Sequence, residues 1–316
     1  MQPDYKSLEQ GHSLRLKGRF DDAARAYKKY LRSLEKRLRS TTVPLIHSLD
    51  RADGCVGLAM THRAMCRYQR SAELFTEAAE IYKQQKDEEG QAFVLYGLGG
   101  VLRFTGRFKE ANQNLGHALK FAVRQEDSSS ESFTLMALGG LCRMLGEYTK
   151  SLQYYKQALK ISIRTDSVYG SSYAHCGIGN AFRMQGKVSE ADKEFDMALK
   201  GYASIRDTVS RPYTFVAKAL LDLENGKTCR LSEAKRMFTR SKDKRGLIHI
   251  QLVEAVRQIA NEKSAKQILS RAEKASVKLG LELEVAHCQF LMAEGNNSEP
   301  YKNLGIKTPR SIYRLP

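Results

Sequence analysis

The chain has 316 residues, 42% of them hydrophobic, and a formal net charge of +17. That apolar content excludes a disordered chain, and no run approaches the roughly 20 apolar residues needed to span a bilayer. The opening MQPDYKSLEQGHSLRLKGRF has no apolar signal-peptide core, so the chain is read as cytoplasmic. The basic surplus calls for a negatively charged partner (an acidic protein segment, nucleic acid or a membrane surface), although such a surplus also aids solubility by itself.

Taken in chain order, one pattern recurs. GRFDDAARAYKKYLR begins at Gly18, and CRYQRSAELFTEAAE begins at Cys66, which stands in the glycine position. GRFKEANQNLGHALK, GEYTKSLQYYKQALK and GKVSEADKEFDMALK follow at Gly106, Gly146 and Gly186, spaced by 40 residues. The first interval is longer, and TTVPLIHSL, with Pro44, takes up the excess as a loop. Upstream of the glycines lie YGLGGVLRFTG, MALGGLCRMLG and CGIGNAFRMQG. Each unit is therefore two amphipathic helices joined by a tight turn, with turns predicted at Gly18, Gly106, Gly146, Gly186 and Gly226. A left-handed turn position costs little only where there is no Cβ. Gly99, Gly139 and Gly179 inside the first helices predict close helix approach. Ala111, Ala118, Ala158, Ala191 and Ala198 do the same from the second helices. Phe108, Leu115, Tyr148, Tyr155 and Phe195 fill the space between pairs.

These spacings predict an all-α array of about seven helix pairs over residues 1–294. The pairs run over 4–39, 48–87, 88–127, 128–167, 168–207, 208–245 and 246–279, and a capping helix over 280–294. Residues 295–316 carry Pro300, Pro309 and Pro316, so they are expected as an extended C-terminal tail, poorly packed or lying along a groove.

The pattern resembles the tetratricopeptide repeat in its 40-residue form, similar to the Leu-Gly-Asn repeats of Pins-type polarity adaptors and several bacterial regulators. CGIGNAFRMQGKVSEADKEFDMALK carries the likeness most fully. The resemblance covers about residues 5–245 clearly and 246–293 loosely. It implies a right-handed α-solenoid with a concave groove lined mainly by first helices, and it names no ligand.

Chemistry-bearing motifs are scarce. The six cysteines, Cys55, Cys66, Cys142, Cys176, Cys229 and Cys288, form no CxxC and no metal or disulfide framework. They read as small buried hydrophobes in a reducing compartment. His62 and Cys66 share a helix face but make only half a metal site. GLGG at 97–100 is helix-packing glycine rather than a phosphate cradle. No nucleophile, base and orienting acid stand together, so a binding scaffold is expected rather than an enzyme, with no metal or cofactor.

The outstanding feature is an arginine ladder. Arg63, Arg103, Arg143 and Arg183 recur every 40 residues, each three before the turn position. Arg15 and Arg257 extend the series, and Leu223 breaks it. The resemblance places this position near the concave surface. Phe93, Tyr96, Phe104, Phe133, Met144 and Tyr173 are the neighbouring groove candidates, and equally they would serve as packing between helices. Where the family often carries a groove Asn stand Met60, Gly100, Gly140 and Asn180, which departs from the carboxylate-clamp type. The arginines would contact a ligand or pair with Asp87, Asp127 and Asp207 inside the array. First helices roughly 10 Å apart match about three residues of an extended chain at about 3.3 Å each. The leading expectation is thus an adaptor binding an acidic, partly apolar segment or helix of another protein. A second is nucleic-acid or nucleoprotein binding, helped by the basic stretch 227–245. A third is self-assembly of copies into a homo-oligomer.

Overall fold

A computed structural model describes residues 4–38, 46–229 and 231–316. The loop expected around Pro44 falls largely outside these residues. Among them the regular structure is helical, without strands. Helices alternate as first and second members of pairs: α1 (Tyr5–Leu16) with α2 (Phe20–Leu38), α3 (Ile46–Ala64) with α4 (Tyr68–Gln84), and α5 (Glu88–Leu102) with α6 (Phe108–Arg124). Next come α7 (Ser128–Met144) with α8 (Tyr148–Arg164), α9 (Val168–Gln185) with α10 (Val188–Ser204), α11 (Arg211–Glu224) with α12 (Ser232–Ser241), and α13 (Lys244–Ala260) with α14 (Lys266–Leu279). Then α15 (Glu282–Met292) and the short α16 (Glu299–Asn303) complete the helices. The chain divides into two compact units, residues 1–121 and 122–316. No helix among the described residues is long and apolar enough to cross a membrane.

The turn glycines do what the spacing requires. Gly18, Gly106, Gly146, Gly186 and Gly226 all have φ between +66° and +78°. Cys66 takes the same conformation at φ +56° despite its side chain, a strain of about 1–2 kcal/mol. A second series marks the other end of each pair. Lys86, Glu126, Asp166 and Arg206 also have positive φ, and each is followed by a side chain that accepts from main-chain N–H groups at the next helix start. Asp87 accepts from Gly90 N–H, Asp127 from Ser129 and Ser130, Ser167 from Gly170, and Asp207 from Ser210 and Arg211. Asp243 repeats the device on Gly246. Such caps contribute about 1 kcal/mol each. So the repeat-end aspartates hold helix starts.

Within each unit an aromatic ring of a second helix fits against glycines of the first helices on either side. In residues 1–121, a Cβ at Gly11 would fall 2.8 Å from the Tyr27 ring, and the same ring presses on Gly57 of α3. A Cβ at Gly99 would meet Leu115 at 2.7 Å and the Ala111 carbonyl at 3.1 Å. In residues 122–316, Tyr155 of α8 stands between Gly139 and Gly177, and Phe195 of α10 lies against Gly179. Phe195 is fully buried with Ala191, Ala217 and Leu221, backed by Phe182 and Val188. Burying such a ring contributes about 2–3 kcal/mol.

A methyl group at Gly179 would lie 2.7 Å from Phe195 Cδ1 and 3.3 Å from the Ala191 carbonyl. Gly179→Ala is therefore expected to destabilise residues 122–316 by about 1–3 kcal/mol. Gly116 has nothing within 4 Å of its Cβ position and sits inside α6. Gly116→Ala is expected to be neutral or to gain up to about 1 kcal/mol. Urea unfolding of both variants beside the wild type checks the contrast, and equal losses would refute it.

Candidate functional site

The most developed polar site lies within residues 122–316, around Arg183 in the last turn of α9. This arginine is buried to 2% exposure. Its Nη1 donates to the Tyr313 carbonyl at 2.7 Å, and its Nη2 donates to the Leu315 carbonyl at 2.8 Å and to Asn180 Oδ1 at 3.3 Å. Asn180 donates its own Nδ2 to the Cys176 carbonyl, one turn back on α9, which turns its oxygen toward the guanidinium. One side chain thus reads two main-chain carbonyls on alternate residues. Charged hydrogen bonds of this kind contribute about 1.5–3 kcal/mol each.

Residues 304–316 supply those carbonyls. After α16 the segment carries no regular structure apart from a turn at Leu304 and Gly305, closed by Ile306 N–H on the Tyr301 carbonyl, and one in which Arg314 N–H donates to the Ser311 carbonyl. Tyr301, Ile306, Pro309 and Leu315 are buried, while Lys302, Lys307 and Arg310 face solvent. Arg314 Nε meets Glu224 Oε1 at the end of α11, 2.7 Å away and largely screened from water. The turn glycines have a second use here. A Cβ at Gly146 would fall 2.6 Å from Lys307 Cβ, and one at Gly186 would fall 2.7 Å from the Arg314 guanidinium. Missing side chains at the turns leave the bed in which the segment lies. The expected tail is therefore packed along the helix ends, and α16 stays a single short turn rather than an eighth pair.

The electrostatics are lopsided. Burial first, and the neighbouring Arg143 second, pull the Arg183 pKa down to about 10, so it stays protonated at neutral pH. Arg143 is half-buried and makes no ion pair or side-chain hydrogen bond among the described residues. Tyr148 lies in the field of Arg143, Arg183, Arg310 and Arg314 together. Behind the segment, Glu284 is fully buried on α15. It accepts from Arg245 Nε at 2.6 Å and faces His249 Nε2 at 3.2 Å. Its carboxyl is held well below the usual range: burial raises it, and Arg245, His249 and His287 more than offset that. His287 contacts the Tyr301 hydroxyl at 2.6 Å and hydrogen-bonds the Pro316 main chain. Burial lowers its pKa to about 3, so its ring is neutral.

The residues singled out from sequence separate. Arg63, Arg103, Phe93, Tyr96 and Phe104 belong to residues 1–121. Arg63 and Arg103 are half-buried, Arg103 lies 4.7 Å over the Phe104 ring, and that ring packs on Tyr68. Phe93 is 49% exposed. Residues 122–316 bring Arg143, Asn180 and Arg183 together at the segment. Phe133 and Tyr173 both pack on Tyr169, away from the carbonyl bonds. Met144 is buried and belongs to the core. Arg257 is exposed, and Arg15 reaches the Tyr27 hydroxyl. Glu224, Arg245, His249, Glu284 and His287 were not anticipated. The signal for Glu224 was present: the ladder stops at Leu223, and an acid follows it. Among the described residues no group of three or more His, Cys, Asp and Glu is placed to hold a metal. His62 and Cys66 are both buried in unit 1.

Residues 51–122 and 130–204 match the tetratricopeptide repeat family model, so the chain carries tetratricopeptide repeats there. A comparison with curated proteins gives no match. Among solved structures, a Rap protein complexed with Competence and Sporulation Factor is similar at 13% identity and TM-score 0.63, covering 95% of this chain and 98% of that one. The Rap conjugation gene regulator of plasmid pLS20, in complex with the Phr* peptide, gives 16%, TM-score 0.67 and coverage of 87% and 74%. NprR in complex with its cognate peptide NprX gives 15%, TM-score 0.64 and coverage of 95% and 84%. At such identities the likeness is one of fold: this chain is an α-helical solenoid of the same kind.

His287 gives the site a pH dependence. Its folded pKa, about 3, lies below its ordinary 6.5, so between those values the unfolded chain binds the extra proton and stability falls as pH falls. The melting temperature is expected to drop from pH 7 to pH 5, where the carboxylates remain ionised. His287→Gln keeps a hydrogen-bonding group but no titration there, and its drop should be shallower; an identical slope would remove His287 from the account.

Proposed function

We propose that the chain is a protein-interaction adaptor, built on 40-residue repeats of the Leu-Gly-Asn kind, whose 122–316 unit binds a segment of a partner protein. Binding rather than catalysis is the role this reading assigns. The observation that carries it is the buried Arg183, whose guanidinium holds two main-chain carbonyls of a non-helical segment. A buried cation aimed at main-chain carbonyls recognises a peptide without demanding a sequence. Peptides in the Phr* and NprX complexes of the similar structures support the same reading.

Selectivity comes from the groups beside it. Arg143 is half-buried, unpaired among the described residues and close enough to lower the Arg183 pKa. An acidic side chain in the partner would neutralise it, and apolar residues on either side would fill the positions now held by Ile306 and Leu315. The ligand is thus an acidic, partly apolar segment. The exposed Phe93 and the half-buried Arg63 and Arg103 give residues 1–121 a similar surface composition, suited to a further stretch of the partner.

A second reading rests on α12. Ser232, Lys235, Arg236, Thr239 and Arg240 line one shallow depression, whose three cations suit a phosphate backbone.

An array of twelve-residue peptides, probed with the full chain, tests the choice. Peptides with acidic residues among apolar ones should be enriched, and Arg143→Glu should cost them about 10–100-fold, the worth of one shielded ion pair. Absence of an acidic preference would overturn the proposal. Tight binding of a single-stranded oligonucleotide, lost in Arg236→Glu with Arg240→Glu, would favour the second reading.

A further inference from the structure

Residues 304–316 occupy the groups that the adaptor reading assigns to a partner. We infer that this segment is a ligand held in cis, and that the site is specific for a segment placing a basic side chain between two carbonyls: carbonyls to Arg183, the basic group to Glu224. The inference rests on the adaptor reading for the site's use, but its geometry stands alone. Three anchors define the fit. Tyr313 and Leu315 give their carbonyls to Arg183, Arg314 gives its guanidinium to Glu224, and the Leu315 side chain is buried. The carbonyls face α9 and the guanidinium faces α11, so a segment lacking the central basic residue would leave the largely screened Glu224 without this ion pair.

The seat is imperfect, which is what an exchangeable ligand requires. Glu224 Oε2, Arg183 Nε and Ser311 Oγ are buried and have no hydrogen-bond partner among the described residues. Residues 300–316 contain Lys302, Lys307, Arg310 and Arg314 and no Asp or Glu. The segment therefore brings Arg310 and Arg314 into the field already occupied by Arg143 and Arg183, and Arg314 pairs with the carboxylate of Glu224. A partner segment that keeps the carbonyl pair and the basic residue, and adds a carboxylate for Arg143, satisfies more of the site than the chain's own residues do.

Tethering sets the size of the competition. A short linker gives an effective concentration on the order of 1 mM. If the free segment binds with a dissociation constant of about 10 μM, the tether weakens any competitor roughly 100-fold. Loosening the segment should restore that factor.

The experiment is a fluorescence-polarisation titration of a labelled peptide with the sequence of residues 307–316, KTPRSIYRLP, into full-length protein. Wild type should bind it weakly. Arg314→Glu in the protein breaks the segment's own ion pair and should strengthen peptide binding at least 10-fold. A peptide carrying the same Arg314→Glu change should not bind that variant. Adding Glu224→Arg to the Arg314→Glu protein restores the pair with its charges exchanged, so it should close the site again and return peptide binding to the wild-type level. Equal, weak binding to wild type and Arg314→Glu overturns the inference, as does binding indifferent to the peptide's arginine. Circular dichroism of each variant confirms that the helices persist. The two proposals fail separately: peptide binding to Arg314→Glu with no acidic preference on the array would spare this inference and sink the acidic-partner reading, and the converse would do the reverse.

Discussion

Tyr155 stands with one ring edge against Gly139 of α7 and the other against Gly177 of α9, and neither glycine position has room for a methyl group. That contact sets the distance between successive first helices. A pair closed by an aromatic ring against bare backbone cannot slide by a residue without driving a side chain into the ring, so the 40-residue register of the sequence becomes a fixed register in space. The placement of Arg143 and Arg183 depends on it. Arg143 and Arg183 are brought near each other because Gly139 and Gly179, four residues before each, hold their helices in equivalent places. A larger residue at either glycine would shift a helix by more than the tolerance of a 2.7 Å hydrogen bond.

Glycine at the turns meets two demands with one atom fewer. The backbone needs φ near +76° at both Gly146 and Gly186, and the segment 304–316 needs the space a Cβ would take. The first demand alone is negotiable, as Cys66 shows by adopting φ +56° with a side chain. The second is not negotiable at Gly186 without moving Arg314, and Arg314 is what pairs with Glu224.

The repeat was legible in the sequence because its signals are local and redundant. Turn glycine, helix glycine and small residues of the second helix recur together, so a single substitution such as Cys66 does not obscure them. The aspartates near repeat ends were legible as recurring but not as caps. Their role depends on the backbone N–H groups two to four residues on, which every residue type offers. The site was half legible. Arg183 belongs to a visible ladder, and its burial follows from a segment 130 residues away in sequence, which no spacing rule connects to it. The same arithmetic hid Glu284. An acidic residue in an apolar helix such as ELEVAHCQFLM reads as a surface position until Arg245 and His249 of another helix are placed beside it.

The balance of charge around Tyr148 explains why closure by the chain's own residues is compatible with a binding role. A permanently sealed structural strap would be expected to satisfy what it covers. Here the strap covers a cationic end of the array with further cations, and among the described residues its acid partner, Glu224, keeps one oxygen without a hydrogen bond. Hydrogen bonds from Arg183 and burial of Leu315 favour the closed arrangement, while repulsion among Arg143, Arg183, Arg310 and Arg314 opposes it. Opposing terms leave a difference smaller than either, and such a difference is what a partner's binding energy can reverse. Exchange for a segment that keeps one basic residue on Glu224 and adds a carboxylate beside Arg143 would relieve part of that repulsion.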